Sequence, residues 1–455
     1  MLRPVLASGE ANGNYGAAMK LGHDLRICMT EPTEPESFGS MGCQYVLNAA
    51  RGAGYHVDYL RPEDKGNPPY DVELISLHHC TDFPRFKVLP RRAPMRLVGG
   101  HPSVNNIRPA IPFGDVFCIG EGEDWIVQAL DRIGSGAKGA DLADLPGTVI
   151  RERHEYGAPI PTGNTVKPLP MHPPYLNRAG KGHARVWYLE MARGCPFDCH
   201  YCELGWAWKY RPQKTELLLQ AVDSIDLSKG KRISLFAPDE ASHPGYVDVL
   251  RRIHERKMIT SFGSMRLDQI VKKDLPLKPN MLIRVGLDGL TEETRFRVHK
   301  PIRDEDVWEY FRFMNDRGHC NFKVFMIFGY PWEQPEDFDQ FAALWERIAR
   351  IPRRVNAWVR VKFTPFIPQP STPLGREQPN YQVEMVGRIL EWFDRVGKPW
   401  SRPGWFVEND GIMSSRSHAL QCRLTSGDER LLLEDGQDWC DTETLQGYDL
   451  AWGVE

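Results

Sequence analysis

Strand-like apolar runs and amphipathic helical stretches alternate along this 455-residue chain, and this alternation limits its fold more than any other feature. In the second half, each apolar run is followed by a helical stretch before the next run begins. The predicted strands are 186–190, 232–236, 259–263, 282–287, 322–328 and 358–363. These six repeats predict a partial (β/α) barrel over residues 181–375, with an active site at the carboxyl ends of its strands.

An earlier block, residues 25–150, shows the same alternation with shorter strands. Its apolar runs lie near residues 25–29, 55–60, 72–77, 96–100 and 116–120. The last two runs end in glycine, which suits tight turns between strand and helix and also suits ligand binding at the carboxyl end of a parallel sheet. The pattern predicts an α/β domain whose parallel sheet is covered by helices on both faces.

Composition shifts mark the remaining boundaries. Residues 1–24 form an N-terminal lead-in rich in small residues, and the Gly- and Pro-rich stretch 151–180 is a linker. Residues 376–455 are less regular, and their position after the barrel predicts a small C-terminal capping region.

The overall composition excludes several classes of protein. Hydrophobic residues make up 41% and charged residues 26%, which is ordinary for a globular chain and excludes wholesale disorder. The formal net charge of -3 gives no basic excess for bulk nucleic-acid binding. No stretch has the ~18 uninterrupted apolar residues of a membrane span, and the N-terminus shows no secretory signal. We therefore expect a cytoplasmic enzyme.

Three of the ten cysteines lie close together, directly after the first barrel strand. Cys195, Cys199 and Cys202 have the spacing C-x3-C-x2-C. Three thiolates on one tight loop can bind three irons of a [4Fe–4S] cluster and leave the fourth iron open to a substrate or cofactor. Two other interpretations remain: a zinc site with His200 as fourth ligand, and a redox pair formed by Cys199 and Cys202. The zinc interpretation places His200 between two cysteine ligands, whereas structural zinc sites usually have the histidine in a second ligand pair. The redox interpretation leaves Cys195 without a role.

This loop, with the aromatic residue Tyr201 before its last cysteine, resembles that of the radical S-adenosylmethionine (radical SAM) superfamily. The resemblance implies that Cys195, Cys199 and Cys202 bind a [4Fe–4S] cluster. It further implies that SAM chelates the open iron and is cleaved by one electron to methionine and a 5′-deoxyadenosyl radical, which abstracts hydrogen from a substrate. Such an enzyme needs a reductant such as flavodoxin or ferredoxin.

Further residues at the predicted strand ends resemble positions that contact SAM in this superfamily. The pair Asp239 and Glu240 follows the second barrel strand, Ser264 and Arg266 follow the third, Asp288 follows the fourth, and Gly329 follows the fifth. The resemblance implies that these residues and Tyr201 bind SAM, with Arg266 able to pair with its carboxylate.

The first block resembles the cobalamin-binding, Rossmann-like domain that precedes the barrel in one branch of this superfamily. The resemblance implies cobalamin contacts from six residues at two strand ends: Gly99, Gly100, His101, Gly120, Glu121 and Gly122. The chain has no Asp-x-His-x-x-Gly motif, which supplies an axial histidine in other cobalamin proteins. Such a domain can also serve as a scaffold without corrin.

A second branch of the superfamily, the methylthiotransferases, carries another iron–sulfur cluster in its first domain. Cys43 and Cys80 resemble two of its three cysteine ligands, but the third expected position, near Gly99, holds no cysteine, and Cys118 comes later. Buried structural thiols are the other interpretation of these residues.

Together these features predict a radical SAM enzyme that uses cobalamin to methylate an unactivated carbon. The alternatives are a cobalamin-free isomerase or oxidase, a methylthiotransferase-like enzyme and, in a different class, an iron–sulfur or cobalamin sensor. The substrate is left open among small molecules, peptides and nucleotides.

Overall fold

The computed structural model describes residues 25–34, 38–177, 185–279, 281–353, 355–396 and 404–433. The predicted lead-in, residues 1–24, lies outside this part of the chain, as do residues 434–455 of the predicted C-terminal capping region. The described residues divide into two compact units. The first unit is built from residues 25–172, 177 and 421–433, and the second from residues 173–176 and 185–420.

The first unit contains a six-stranded sheet in the order β2-β1-β3-β4-β5-β6. Strands β1 to β5 are parallel and β6 is antiparallel to β5. Its elements are β1 (Ile27–Thr30), α1 (Met41–Gly52), β2 (Val57–Tyr59), β3 (Val72–Leu77), α2 (Asp82–Val88), β4 (Met95–Gly100), β5 (Val116–Cys118), α3 (Glu123–Gly134) and β6 (Thr148–Ile150). The predicted parallel-sheet domain is therefore confirmed.

Helices cover both faces of this sheet. Leu47 of α1 and Ala129 of α3 are fully buried in one core with strand residues such as Val72. On the opposite face, the buried Arg96 of β4 lies against the ring of Phe86 in α2, with 5.6 Å from its guanidinium carbon to the ring centroid. Every residue of β3 is buried, as expected for a central strand covered on both sides.

The second unit is built from parallel strands joined by helices. Its strands are β7 (Tyr175–Asn177), β8 (Val186–Glu190), β9 (Ala192–Arg193), β10 (Arg211–Pro212), β11 (Arg232–Phe236), β12 (Ile259–Ser261), β13 (Ser264–Met265), β14 (Ile283–Gly286), β15 (Asn321–Phe328), β16 (Ala357–Pro365) and β17 (Trp405–Ile412). Its helices are α4 (Thr215–Ser224), α5 (Tyr246–Glu255), α6 (Leu267–Lys272), α7 (Glu292–Arg297), α8 (Asp304–Asp316), α9 (Asp337–Ala349), α10 (Val383–Val396) and α11 (Ser415–Ser426), whose last residues belong to the first unit.

Apart from the antiparallel pair of β9 and β10, the strands of this unit form two sheets that are joined by one chain segment. One sheet has the order β12-β11-β8-β7 and the other has the order β13-β14-β15-β16-β17. Strands β12 and β13 are consecutive and are separated only by Phe262 and Gly263, so the two sheets continue into each other. Five helices, α4, α5, α6, α8 and α9, alternate with strands β8 to β16, which confirms the predicted partial (β/α) barrel.

Side chains alternate between the two faces of the barrel strands. In β15, Phe322, Val324, Met326 and Phe328 are buried, and the residues between them are less buried. The ring of Phe322 packs edge-on against Phe311 of α8, so the buried set faces the helices. The intervening residues, Lys323 and Phe325 among them, therefore face the barrel interior.

The βα alternation continues beyond residue 375. Helix α10 follows β16, and β17 pairs with β16 in parallel, so part of the predicted capping region is a further barrel strand. Residues 421–433 instead pack on the first unit, where the Asn106 side chain donates hydrogen bonds to the carbonyls of Thr425 and Gly427 at 2.9 and 2.8 Å. No helix in the described part of the chain is both long and apolar enough to cross a bilayer.

Candidate functional site

The cysteine loop is closed at its base by a short antiparallel ribbon. Strands β9 and β10 pair Arg193 with Arg211 on either side of the loop. Gly194 begins the loop with φ +70°, and a Cβ there would lie 2.5 Å from the carbonyl oxygen of Trp208. Only glycine fits this turn. Arg193 also donates to the carboxylate of Glu190, the last residue of β8, at 2.7 and 3.1 Å, which fastens the ribbon to the barrel.

Hydrogen bonds within the loop hold its backbone in one shape. The amide of Cys195 donates to the carbonyl of Leu204 at 3.1 Å, and the amide of Cys202 donates to that of Cys199 at 3.1 Å. The indole of Trp206 donates to the carbonyl of Cys199 at 3.0 Å. The aromatic stretch after the cysteines thus contributes directly to the loop.

The three thiols are buried or partly buried. Burial raises the pKa of Cys195 to about 12 and raises the pKa values of Cys199 and Cys202. The other two cysteines also raise the pKa of Cys202, so the three sulfurs lie near one another. Metal binding at such thiols must release their protons.

The three thiols of the loop suit a four-iron cluster, which takes each cysteine on a different iron. Within the described ranges, no group of three His, Cys, Asp or Glu side chains forms a site for a single metal ion. His200, the alternative zinc ligand, instead stacks on His299 with ring centroids 5.1 Å apart. Cys199 and Cys202 are both free thiols.

Asp288, at the end of β14, connects the cysteine loop to the barrel. Its carboxylate accepts a hydrogen bond from the Tyr201 hydroxyl at 2.8 Å and forms an ion pair with the buried Lys300. Asp288 has φ +56°, a conformation that few residues other than glycine adopt. Its carbonyl accepts from the Tyr330 hydroxyl at 3.1 Å, so two tyrosines and a lysine hold this strand end.

Asp239 and Arg266 lie together at the ends of β11 and β13. The buried Asp239 carboxylate accepts from the Arg266 amide at 3.0 Å and from the Ser242 hydroxyl. The Arg266 guanidinium pairs with Asp268 at 3.0 Å and lies 4.2 Å from the ring centroid of Phe197, within the cysteine loop. Arg266 is therefore positioned beside the cysteines.

Glu240 and Ser264, the neighbours of Asp239 and Arg266 in these two predicted motifs, contact the barrel strands. Glu240 is fully buried, and its two oxygens accept from the Gly263 amide at 2.7 Å and from the Tyr246 hydroxyl at 3.1 Å. Burial raises its pKa to about 8. Its side chain thus holds the β12–β13 junction. Ser264 pairs with Arg284 of β14 on the barrel wall.

Gly329 forms a tight turn after β15. It has φ +78°, and a Cβ there would lie 3.0 Å from the carbonyl oxygen of Asn380. Its amide and that of Tyr330 donate to the Glu333 carboxylate at 2.7 and 3.2 Å. Burial raises the pKa of Glu333 to about 7.

The barrel residues expected to contact SAM therefore lie at its strand ends, and the structure adds four partners to them. Sequence reasoning did not assign Phe197, Lys300, Tyr330 or Glu333 to the site. Three resemblances could have indicated them. Residues 297–300 resemble the end of the lysine-bearing helix of the superfamily, residues 325–333, which include Tyr330 and Glu333, resemble its glycine/proline turn, and Phe197 lies between the first two cysteines. Phe197, Lys300, Tyr330 and Glu333 contact residues that follow different strands of the barrel.

In the first unit, Gly99 and Gly100 end β4 beside the end of β3. Gly100 has φ +119°, and a Cβ there would lie 2.0 Å from the carbonyl oxygen of Leu77, its partner in β3. Only glycine fits this position. A Cβ on Gly99 would instead meet nothing closer than 3.6 Å. His101 follows on the surface.

Gly120 and Glu121 contact a later segment of the same unit. Gly120 forms a parallel bridge with Asn164, and a Cβ on Gly120 would lie 2.2 Å from the Asn164 carbonyl oxygen. The buried Glu121 carboxylate accepts from the amide of Val166 at 2.6 Å. These two residues thus anchor residues 164–166, in the middle of the predicted linker, and Gly122 caps α3.

A buried acid and a histidine meet where the order of strands reverses. Glu31, after β1, is fully buried and accepts from the amide of Gly39 at 2.7 Å. His78, after β3, lies 3.5 Å from the Glu31 carboxylate, and this pairing raises the pKa of His78 against the effect of its burial. The ring of His79 instead contacts Thr81 at 3.2 Å, so the two histidines do not share one ligand position.

The thiols of the first unit pack separately. Cys43 contacts the sulfur of Met29 at 3.7 Å, and Cys80 contacts the Thr425 hydroxyl at 3.2 Å. Cys118 contacts the Glu121 carbonyl at 3.8 Å. Among the described residues, Cys43, Cys80 and Cys118 thus each contact a different set of neighbours.

Comparison with known proteins identifies the barrel. The family described as the Radical SAM superfamily matches residues 189–344. An uncharacterized protein of Methanocaldococcus jannaschii, MJ0966, is 25% identical over 377 residues, which cover 80% of this chain and 79% of that protein. The hopanoid C-3 methylase of Methylococcus capsulatus is 26% identical over 235 residues, 44% of this chain and 42% of that protein.

Solved structures share the fold at low sequence identity. TsrM from Kitasatospora setae, a radical S-adenosylmethionine methyltransferase, aligns with a TM-score of 0.57 and 14% identity over 77% of this chain and 74% of that one; it was solved with cobalamin and a [4Fe–4S] cluster. The cobalamin-dependent S-adenosylmethionine radical enzyme OxsB aligns with a TM-score of 0.52 and 14% identity over 71% of this chain and 52% of that one.

Proposed function

From the premise that this chain is an enzyme with a radical SAM domain at residues 189–344, we propose that it uses cobalamin to methylate an unactivated carbon of its substrate. The observation that carries the proposal is the combination of two units in one chain. One is a barrel with a three-cysteine loop at its strand ends, and the other is a parallel sheet with a glycine-lined edge. The likeness to TsrM spans 77% of the chain, so it extends well beyond the barrel.

In this proposal, Cys195, Cys199 and Cys202 hold the cluster. When bound, the cluster and SAM supply a 5′-deoxyadenosyl radical, and cobalamin supplies a methyl group. The chain's own residues position these groups. The ribbon β9–β10 and the Gly194 turn fix the cysteine loop, and the Asp288 carboxylate fixes Tyr201 within it.

The SAM contacts are proposed from residues at the same strand ends. Arg266 carries its positive charge next to the loop and suits the SAM carboxylate. The Asp239 carboxylate suits an ammonium group, and we assign the adenine of SAM to the turn that begins at Gly329. Ser264 lies on the barrel wall beside Arg266. Glu240 takes a supporting role, because its side chain is fully buried and holds the amide of Gly263 at the β12–β13 junction.

Cobalamin is assigned to the edge formed by the ends of β1, β3 and β4. The sheet order reverses between β1 and β3, and ligands of open parallel sheets bind at such a point. Gly99 leaves space there, while Gly120 and Glu121 are occupied by residues 164–166. We therefore propose Gly99, Gly100 and His101 as corrin contacts, with Gly120, Glu121 and Gly122 supporting the edge.

The reaction also needs an electron donor, as radical SAM enzymes generally do. We propose a small reductant such as flavodoxin or ferredoxin. A radical route suits the proposed chemistry because an unactivated C–H bond offers no handle for acid–base catalysis.

Corrin retention tests the proposal. The cluster is reconstituted without oxygen, hydroxocobalamin is added, the protein is desalted, and corrin per chain is measured by visible absorbance. We expect near-stoichiometric retention of corrin by the unmodified chain. Gly99→Ala should retain less corrin, because its new methyl group fits the protein but occupies space at the edge formed by the ends of β1, β3 and β4. Gly52→Ala, with open space around the new Cβ, is the matched control. Loss of all corrin with SAM still cleaved would refute the cobalamin assignment and indicate a cobalamin-free radical enzyme.

A further inference from the structure

The aromatic stretch after the cysteines carries a buried hydroxyl without a partner. Tyr210 lies directly before Arg211, which pairs with Arg193 in the ribbon at the base of the cysteine loop. Its side chain is partly buried, and its hydroxyl oxygen is closed to solvent. Among the described residues, nothing forms a hydrogen bond with this hydroxyl. Buried polar groups are normally hydrogen-bonded, so the hydroxyl of Tyr210 lacks an acceptor that a bound molecule could supply.

The backbone places Tyr210 next to the first cysteine. A Cβ on Gly194 would lie 2.5 Å from the carbonyl oxygen of Trp208 and 2.6 Å from that of Lys209. The two residues before Tyr210 therefore pack against the residue before Cys195. Tyr210 thus belongs to the wall of the cysteine loop.

The same ribbon adjoins the end of β11, which Asp239 follows. The amide of Met191, directly before β9, donates to the carbonyl of Phe236 at 2.8 Å. Burial, and after it the charges of Asp239 and Cys195, raise the pKa of Tyr210 to about 12. The hydroxyl therefore lies near both the carboxylate and the sulfur, and it keeps its proton at neutral pH.

The neighbouring carboxylate is already engaged by the protein. Its two oxygens accept from the amide of Arg266 at 3.0 Å and from the hydroxyl of Ser242. Asp239 and Arg266 are also the residues to which we assign the ammonium and the carboxylate of SAM. The hydroxyl of Tyr210 therefore lies where the methionyl part of SAM is assigned.

Tyr310 of α8 has a similar hydroxyl in different surroundings. This hydroxyl is also buried and has no hydrogen-bond partner among the described residues. Burial alone raises the pKa of Tyr310, so no charged group of the described chain acts on it. Its ring packs edge-on against Phe311 and Phe322 in the core between helix and strand. The hydroxyl of Tyr310 thus lies in apolar packing, whereas that of Tyr210 lies beside two groups of the site.

We propose that Tyr210 binds SAM, and that its hydroxyl donates a hydrogen bond to the SAM carboxylate beside Arg266. This inference rests on the proposed function, because it starts from the SAM contacts assigned there. A carboxylate has about four acceptor positions, so the guanidinium and the hydroxyl can share it. An ammonium group has donors only and cannot accept from the hydroxyl. The carboxylate is therefore the part of the methionyl group that satisfies this donor.

Binding of SAM without turnover tests the proposal. The full-length protein is reconstituted with its cluster and kept free of reductant, so that SAM is bound but not cleaved. The dissociation constant of radiolabelled SAM is measured by equilibrium dialysis for the unmodified protein, Tyr210→Phe and Tyr310→Phe. Tyr310→Phe is the matched control, because it too removes one buried hydroxyl without a partner. Decarboxylated SAM, which keeps the ammonium, the sulfonium and the adenosine, is measured as a competitor.

We expect Tyr210→Phe to weaken SAM binding about tenfold or more, the effect of losing one hydrogen bond to a charged group. The affinity for decarboxylated SAM should stay within about twofold, because that ligand has no carboxylate to lose. Tyr310→Phe should leave both affinities unchanged. Neither variant should lower the iron content or the urea midpoint, because neither substitution breaks a hydrogen bond of the protein.

Equal SAM affinities in Tyr210→Phe and Tyr310→Phe would overturn the proposal. An equal loss of affinity for SAM and decarboxylated SAM would also overturn it, because the hydroxyl would then not act on the carboxylate. Unchanged SAM affinity with a lower midpoint potential of the cluster would place the hydrogen bond on Cys195 instead.

The experiment separates this proposal from the proposed methylation, because SAM binding needs neither corrin nor a methyl acceptor. A protein that retains corrin but shows equal SAM affinities in the two variants refutes only the role of Tyr210. A protein that retains no corrin but shows the expected loss in Tyr210→Phe refutes only the cobalamin-dependent reaction.

Discussion

Glu240 gives the sharpest quantitative prediction because it is a fully buried acid with two defined partners. Burial raises its pKa from 4.5 to about 8, with a further contribution from the charge of Asp239. At ~1.4 kcal/mol per pH unit, this difference corresponds to about 5 kcal/mol. The unfolded chain ionises Glu240 near pH 4.5, whereas the folded chain keeps it protonated up to about pH 8. The contribution of Glu240 to stability is therefore most favourable below pH 4.5, declines as the pH rises to 8, and is constant above that.

Glu240→Gln removes this titration and keeps the shape of the side chain. Its carbonyl accepts from the Gly263 amide, and its amide group donates to the Tyr246 hydroxyl. We expect the free energy of unfolding of Glu240→Gln, relative to the unmodified protein, to increase by about 4 kcal/mol between pH 5 and pH 8.5. The measurement is urea unfolding of cluster-free protein at several pH values, monitored on the transition of the barrel unit.

The titration of all other groups contributes equally to the free energy of unfolding of both proteins, so it cancels in the difference between them. Glu255→Gln, which removes one carboxylate from the exposed face of α5, is the matched control. A Glu240→Gln difference that stays constant within about 1 kcal/mol over this pH range would show that Glu240 ionises normally in the fold. The argument from burial would then be wrong.

Three further changes test separate parts of the structure. Gly100→Ala should destabilise the first unit by about 3 kcal/mol or more, since its Cβ would lie 2.0 Å from the Leu77 carbonyl oxygen; an unchanged urea midpoint would contradict this. Asp288→Asn should cost about 3 kcal/mol in urea unfolding, because it leaves the buried charge of Lys300 without its carboxylate. A cost below about 0.5 kcal/mol would refute that role. Glu429→Gln removes the carboxylate that accepts from one histidine and one arginine of the first unit. Amide hydrogen exchange over residues 425–433 should then become about tenfold faster, and unchanged exchange would mean that these bonds do not hold the segment.

Much of the barrel was predictable from local sequence pattern. The predicted strands 186–190 and 232–236 match β8 and β11 residue for residue. Burial on one face of each strand and helix leaves a periodic signal in the sequence, and that signal does not depend on distant contacts. The cysteine spacing was equally local, because all three thiols belong to one loop.

Other features depend on contacts between residues far apart in the chain. Residues 421–433 lie on the first unit through bonds such as that from Lys87 to the Leu432 carbonyl at 2.6 Å, and no local pattern encodes this pairing. The role of Glu121 was hidden for the same reason, because its partner Val166 lies in a Pro-rich stretch without periodicity. The burial of Glu240 depends on the β12–β13 junction, which the sequence pattern presented as a single strand.

Cleavage of SAM tests the central claim most directly. The reconstituted protein is reduced with a strong reductant, and 5′-deoxyadenosine and methionine are quantified for the unmodified chain and for Cys195→Ala, Cys199→Ala and Cys202→Ala. Cys320→Ala, a free cysteine outside the loop, is the control. The account predicts equimolar products from the unmodified chain and the control, and none from the three loop variants. Cleavage that survives in the loop variants, or its absence in the unmodified chain, would contradict the account.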